Sequence, residues 1–232
     1  MGKLLKRWFW RLFFVFVYLL FLYQLWIFCH VLYWNDQNPT TSAFMQNQLS
    51  ILQENNPEAK LHHVWVPYTQ IAFDMKRAII AAEDGKFTQH SGFDFDSIHQ
   101  ASKKIIKEKK IVAGGSTISQ QLAKNLFLSS KKSFWRKSQE AIITLMLEHI
   151  MTKRRILEIY LNIIEWGNGV FGIEAAARHY FGIPAASLSA KQASYLASMV
   201  TNPRYYDNNR ESPHLQKKSK VIFKRLHSAK IP

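Results

Sequence analysis

One cysteine, Cys29, is present among 232 residues. A single thiol excludes a disulfide framework, so the folded part must be held by its apolar core. Acidic residues are missing before Asp36, and residues Leu12 to Trp34 contain no Asp, Glu, Lys or Arg. As a helix rising ~1.5 Å per residue, that run extends roughly 34 Å, enough to cross the hydrocarbon of a bilayer. No small-residue cleavage site follows it, since Tyr33-Trp34-Asn35-Asp36 comes next. The run also exceeds the apolar part of a signal peptide, so an uncleaved span is expected. Beyond the span, strand-like alternation is scarce, and neither an internal repeat nor a low-complexity tract occurs. Asn38-Pro39-Thr40 is excluded as a glycosylation acceptor by its proline. His62-His63 lacks metal-site spacing and reads as part of a linker.

Trp8, Trp10, Tyr33 and Trp34 flank the span as interfacial anchors. Lys3, Lys6, Arg7 and Arg11 precede it, which keeps the N-terminus cytoplasmic and puts everything after residue 35 outside. The net charge is +15, of which those four residues supply +4. A basic body tethered to a membrane favours anionic headgroups, lipid-linked diphosphates or acidic polymers. Nucleic acid is disfavoured by this topology and by the lack of a recognisable motif. The expected organisation is a tail over 1–11, a transmembrane helix over 12–34, a polar stalk over 35–62 with a short helix near Met45–Leu52, and one mostly α-helical domain over 63–232. An amphipathic piece at Val221–Leu226 is expected to dock.

The most telling stretch runs from Glu83 to Asp94. Ile71, Met75, Ala78, Ile79 and Ala82, spaced three and four apart, predict a buried helix face leading into it. Glu83 ends that face, and a carboxylate desolvated there suits proton transfer near neutral pH. An acidic helix end beside a solvated loop is the alternative, and this segment alone does not choose.

Gly114 to Asn125 reads as a flexible loop entering a helix, with a hydroxyl as N-cap. At 100° per residue Ser116, Thr117, Gln120, Gln121 and Lys124 share one face, opposite Ile118, Leu122 and Leu126. Exposed faces usually mix Glu and Lys, whereas this one holds Gln, Ser and Thr around a single cation, a composition for sugar hydroxyls and phosphate oxygens. The Walker spacing is missing. Further on, Arg136 and Lys137 lie four and three residues before Glu140. An ordinary surface ion pair is one reading of them, and a cationic cluster holding a departing diphosphate is the other. From Lys153 to Asn162 apolar residues cover most of the helix circumference, leaving Arg154, Arg155, Glu158, Asn162 and Glu165 as a polar stripe, a structural pattern by default. Ser129-Ser130-Lys131-Lys132 fits Ser-x-x-Lys, but without Ser-Asp-Asn and Lys-Thr-Gly an acyl-transfer site is excluded.

In order, these segments resemble the biosynthetic peptidoglycan glycosyltransferases of family 51, in the monofunctional form without a transpeptidase domain. Glu-Asp-x-x-Phe-x-x-His-x-Gly-x-Asp matches Glu83 to Asp94, and Gly-x-Ser-Thr-Ile-x-Gln-Gln-Leu-x-Lys-Asn matches Gly114 to Asn125. Arg-Lys-x-x-Glu is Arg136 to Glu140, and Lys-x-x-Ile-Leu-Glu-x-Tyr-Leu-Asn is Lys153 to Asn162. Asn202-Pro203 with Tyr205 resembles the closing motif, so the likeness covers about Val64 to Tyr206.

The resemblance implies a lysozyme-like, mostly α-helical domain with a small membrane-facing lobe, and polymerisation of lipid II into glycan strands. It implies that Glu83 deprotonates the acceptor's 4-hydroxyl, that undecaprenyl diphosphate leaves, and that the anomeric centre inverts. Glu140 matches the family's second essential glutamate. Lys124, Arg136, Lys137 and Lys132 are implied to neutralise diphosphate, while Ser116, Thr117, Gln120, Gln121 and Asn125 position it and the sugars. Asp84, Phe87, His90 and Gly115 complete the implied substrate-binding set. The resemblance requires no cofactor and leaves a divalent cation (Mg or Mn) optional. Its implied partners are lipid II, the growing strand, membrane lipid and other cell-wall synthesis or division proteins, in a bacterial inner membrane.

Two positions depart from the pattern: Lys132 stands where Arg is frequent, and Ala113 where a basic residue is frequent. Lysine keeps the charge but loses bidentate phosphate geometry. A diphosphate leaving group needs cations more than a protonating acid. That argues against a lytic muramidase, whose neutral glycan has no diphosphate to neutralise. A non-catalytic binder of anionic lipid or wall polymer is the rival from another class. Phe127, Leu128, Phe134 and Trp135 flank the basic cluster, an aromatic-basic mix expected at a membrane interface.

Overall fold

The structure is a computed structural model describing residues 2–96, 99, 115–129 and 133–232. It divides into two units, Met1–Asn38 and Pro39–Pro232. The first is built on helix α1 (Gly2–Asp36), apolar and long enough to cross a membrane from Leu5 to Asp36.

In the second unit, α2 (Ala43–Asn55) starts at Ser42, whose hydroxyl accepts the Met45 N–H at 3.1 Å. Strand β1 (His62–His63) follows, then α3 (Phe73–Glu83), α4 (Ile118–Phe127), α5 (Phe134–Ile150) and α6 (Lys153–Ile163). A hairpin of β2 (Glu165–Gly167) and β3 (Val170–Phe171) leads into α7 (Ile173–Phe181), α8 (Ala190–Met199), α9 (Pro203–Asn208) and α10 (Pro213–Arg225). The small sheet has order β1-β3-β2, with β1 parallel and β2 antiparallel to β3. Helix is thus the dominant element among the described residues, as the scarcity of alternation predicts.

Local chemistry sets the helix ends. Thr117 and Gln120 form a reciprocal capping box at the start of α4, and Ser189 with Gln192 repeats it at α8. Ser133 and Thr152 cap α5 and α6, while Pro203 and Pro213 sit in the first turns of α9 and α10. Gly182 closes α7 in the left-handed region at φ 68°.

The core forms around α6, where Ile156, Leu157, Ile159, Tyr160, Leu161 and Ile163 are all sealed from solvent. Its polar stripe is a docking edge. The Asn162 side chain accepts the Val66 N–H at 2.9 Å and donates to the Val66 and Glu158 carbonyls, and Glu158 accepts the Tyr68 N–H. This satisfies the backbone of an extended segment that would otherwise be buried without partners. Gly172 approaches the same helix: a Cβ there would lie 2.7 Å from the Asn162 carbonyl, at φ +79°.

Met75, Ala78 and Ile79 of α3 are fully buried, as the spacing predicts, whereas Ala82 is only partly covered. Helix α3 packs on α8 and α10. Leu215, Ile222 and Leu226 bury the apolar side of α10, so the docking piece at Val221–Leu226 belongs to a longer helix. The expected stalk needs a larger correction. Residues from Pro39 belong to the folded unit, and α2 packs against α4. Phe44 meets Phe171 edge-on at 6.1 Å between centroids, and Met45 and Gln48 are buried. The polar composition of 35–62 hid these few apolar contacts. His62-His63 accordingly lies in the sheet, with His63 Nε2 bonded to the Asn162 carbonyl at 2.9 Å.

Candidate active site

The last turn of α3 delivers Glu83 to a pocket of about 170 Å³, lined also by Asp84, Gly85, Asp94, Gly115 and Ser116. One carboxylate oxygen of Glu83, Oε2, accepts from Gln121 Nε2 at 2.9 Å. The other, Oε1, is buried and has no hydrogen-bond partner among the described residues.

Asp84 points into the protein instead. Its carboxylate takes His90 Nε2 at 2.9 Å and the Ile118 backbone N–H at 3.0 Å. The second bond places an anion on the unsatisfied donors at the start of α4. His90 Nδ1 accepts the Gly92 N–H at 3.1 Å, so the ring's proton on Nε2 faces Asp84. The Thr117 hydroxyl donates to the Gly92 carbonyl at 2.7 Å. The loop after Glu83 and the entry of α4 are thereby one hydrogen-bonded assembly.

Deeper, Ser119 donates a short bond to Glu148, which also accepts from Lys153 Nζ at 2.7 Å. The same ammonium stands 4.5 Å over the ring of Phe87.

Helix α5 contributes the second glutamate. Glu140 is buried, with Arg136 Nη1 at 2.6 Å from Oε2 and Lys137 Nζ bonded to Oε1. The ion-pair reading of this triplet therefore holds in geometry but not in exposure, because the carboxylate is sheltered. Arg136 Nε is buried without a partner among the described residues.

Lys124 joins the two halves. Burial pushes its ammonium below the ordinary lysine range, Glu140 draws it back up, Arg136 and Lys137 press it down, and Glu83 lifts it. One side chain therefore feels both glutamates and both neighbouring cations.

Not every expected site residue presents itself to a ligand. Ser116 is exposed and lines the pocket with Gly115. Thr117 lines the pocket as well, but its hydroxyl and the Gln120 amide oxygen are engaged in the capping box, so the expected donor face is narrower than its helical projection. Phe87 is sealed in the core, and Asn125 is also buried. Asp84, although it lines the pocket, is bonded to His90, and the pair holds the loop. Lys132 and Gly114 lie outside the described residues.

Two neighbours of Glu83 escaped the sequence reading. Tyr160 of α6 donates to Gln121 Oε1 at 2.9 Å. Lys218 of α10 donates to Thr201 Oγ1 at 3.1 Å; burial lowers its ammonium and Glu83 raises it. Tyr160 looks like one more core residue in an apolar helix. Lys218 is one lysine among several in a basic tail, with nothing in its spacing to single it out.

A helical head that sets a base-competent carboxylate beside a sheltered carboxylate and a cluster of cations has the parts for group transfer from an anionic leaving group. Residues 49–227 match the Transglycosylase family. The chain is 61% identical over 227 residues to a biosynthetic peptidoglycan transglycosylase of Nitrosospira multiformis, covering 98% of this chain and 99% of that one. It is 57% identical over 229 residues to the protein of that name from Methylobacillus flagellatus, covering 99% and 100%. A third, from Chromobacterium violaceum, is 58% identical over 211 residues, covering 91% and 92%. The chain belongs to the transglycosylase family.

Proposed function

We propose that this protein polymerises lipid II into peptidoglycan glycan strands. Glu83 takes the proton of the acceptor's 4-hydroxyl as that oxygen bonds to the donor's anomeric carbon. The bond from that carbon to diphosphate breaks, undecaprenyl diphosphate departs with the electron pair, and an α-linkage becomes β-1,4. Lys124, Arg136 and Lys137 hold the developing charge, and Glu140 keeps the last two in register. The observation that carries this reading is the sheltered cluster in which Arg136 and Lys137 pair with Glu140, with the Lys124 ammonium acted on by the same groups. A neutral glycan offers such a cluster nothing to neutralise, so the reading favours synthesis over lysis.

Helix α1 fits a single-pass anchor for an enzyme with a lipid-bound substrate. Lys3, Lys6, Arg7 and Arg11 support a cytoplasmic N-terminus, with the head outside the inner membrane. The cation cluster supplies the charge stabilisation that a divalent ion would otherwise give, so strand growth is expected to survive chelators. Partner proteins of wall synthesis or division would be sought by crosslinking in cells.

The test is incubation of the detergent-solubilised chain with labelled lipid II and sizing of the products. Growing strands are expected. Glu83→Gln should lower their formation by about 10²–10⁴-fold, the usual contribution of a positioned base. Full activity of that variant would remove Glu83 from its role.

A further inference from the structure

Tyr160 is fully buried, and its hydroxyl donates to Gln121 Oε1 at 2.9 Å. A buried hydroxyl has to find an acceptor, and leaving it unpaired is costly. An ionised carboxylate only accepts, so the Gln121 amide turns Nε2 toward Glu83 and donates to Oε2 at 2.9 Å. The Tyr160 hydroxyl, donating to the amide's other end, reinforces that rotamer. The opposite rotamer would set the amide oxygen against the carboxylate and oppose ionisation.

From this two-bond chain we propose that Tyr160 is a positioning residue for the base, acting through Gln121 to orient the Glu83 carboxylate with Oε1 left for the substrate proton. The proposal rests on Glu83 serving as that base. Among the described residues, the other charged or titratable groups that act on Glu83 or share its pocket are Asp84, at the end of the same helix, Asp94 of the following loop, Lys124 of α4 and Lys218 of α10. None of them is altered by trimming Tyr160, so a change in pH dependence reports the relay itself. Burial, then Glu83 and Asp84, push the Tyr160 hydroxyl well above the ordinary tyrosine range, which keeps it a neutral donor.

The experiment compares kcat/KM against pH for the full chain and Tyr160→Phe in detergent with lipid II. Losing the donated hydrogen bond favours the protonated carboxyl, so the acid limb should move up by about one pH unit. kcat at neutral pH should fall about tenfold while KM stays within about twofold. In a Gln121→Met background Tyr160→Phe should add little, because both changes cut one chain. An unmoved acid limb, or a Tyr160→Phe loss that adds in full to that of Gln121→Met, overturns the proposal. Should Tyr160→Phe fail to fold, Gln121→Met alone reads the relay, because Gln121 is only partly buried, and an unmoved limb again overturns it. Glu83→Gln separates the two ideas: if it is inactive while Tyr160→Phe behaves as wild type, the relay fails and the base stands. If Glu83→Gln polymerises normally, the base reading falls and the relay with it.

Discussion

Lys124 shows what a binding site costs a fold at the scale of one residue. Its folded-state ammonium titrates below the ordinary 10.5 because burial strips it of water. The unfolded chain then binds that proton more readily than the folded one. The penalty is complete below the lowered folded value and fades as pH rises toward the ordinary one. Lys124→Met, close in shape and uncharged, is therefore expected to melt at a higher temperature than wild type at neutral pH, with the gap narrowing in alkali. The same variant should lose strand synthesis, the usual opposition between stability and a charged site. Melting curves at several pH values with a product assay check both; a lower melting temperature at neutral pH would contradict the first. For Glu83, the place at the end of a buried helix face was legible in the sequence; the Gln121–Tyr160 chain behind it was not.

Helix α4 shows at the scale of an element where a projection succeeds and where it stops. Ile118, Leu122 and Leu126 are buried together, as their spacing requires. The opposite face reads as an N-cap hydroxyl within a ligand-binding row, yet Thr-x-x-Gln is the full pattern of a capping box, and two of the five polar side chains serve that purpose. Backbone donors at a helix start must be satisfied first. Thr117→Ala would remove the cap and the bond to the Gly92 carbonyl, for an expected loss of about 1–2 kcal/mol in chemical denaturation. The polar stripe of α6 was likewise visible in the sequence, but not the segment it docks. That segment is 96 residues away at Val66, and such pairing leaves no local signature.

For the whole molecule, an apolar anchor and a basic head are both readable from composition. Phe134 is 88% and Trp135 55% exposed at the start of α5, whereas Leu128 is buried and cannot join an interfacial patch. Aspartate at both aromatic positions is expected to weaken liposome binding by the span-deleted chain while helix content stays unchanged. Sedimentation with vesicles of anionic lipid measures it, and undiminished binding would remove this patch from membrane contact. The packing of α10 on α3 has a different kind of consequence. Helix α3 carries Glu83 in its last turn, so loosening α10 is expected to reach the pocket from behind, without touching any residue that lines it.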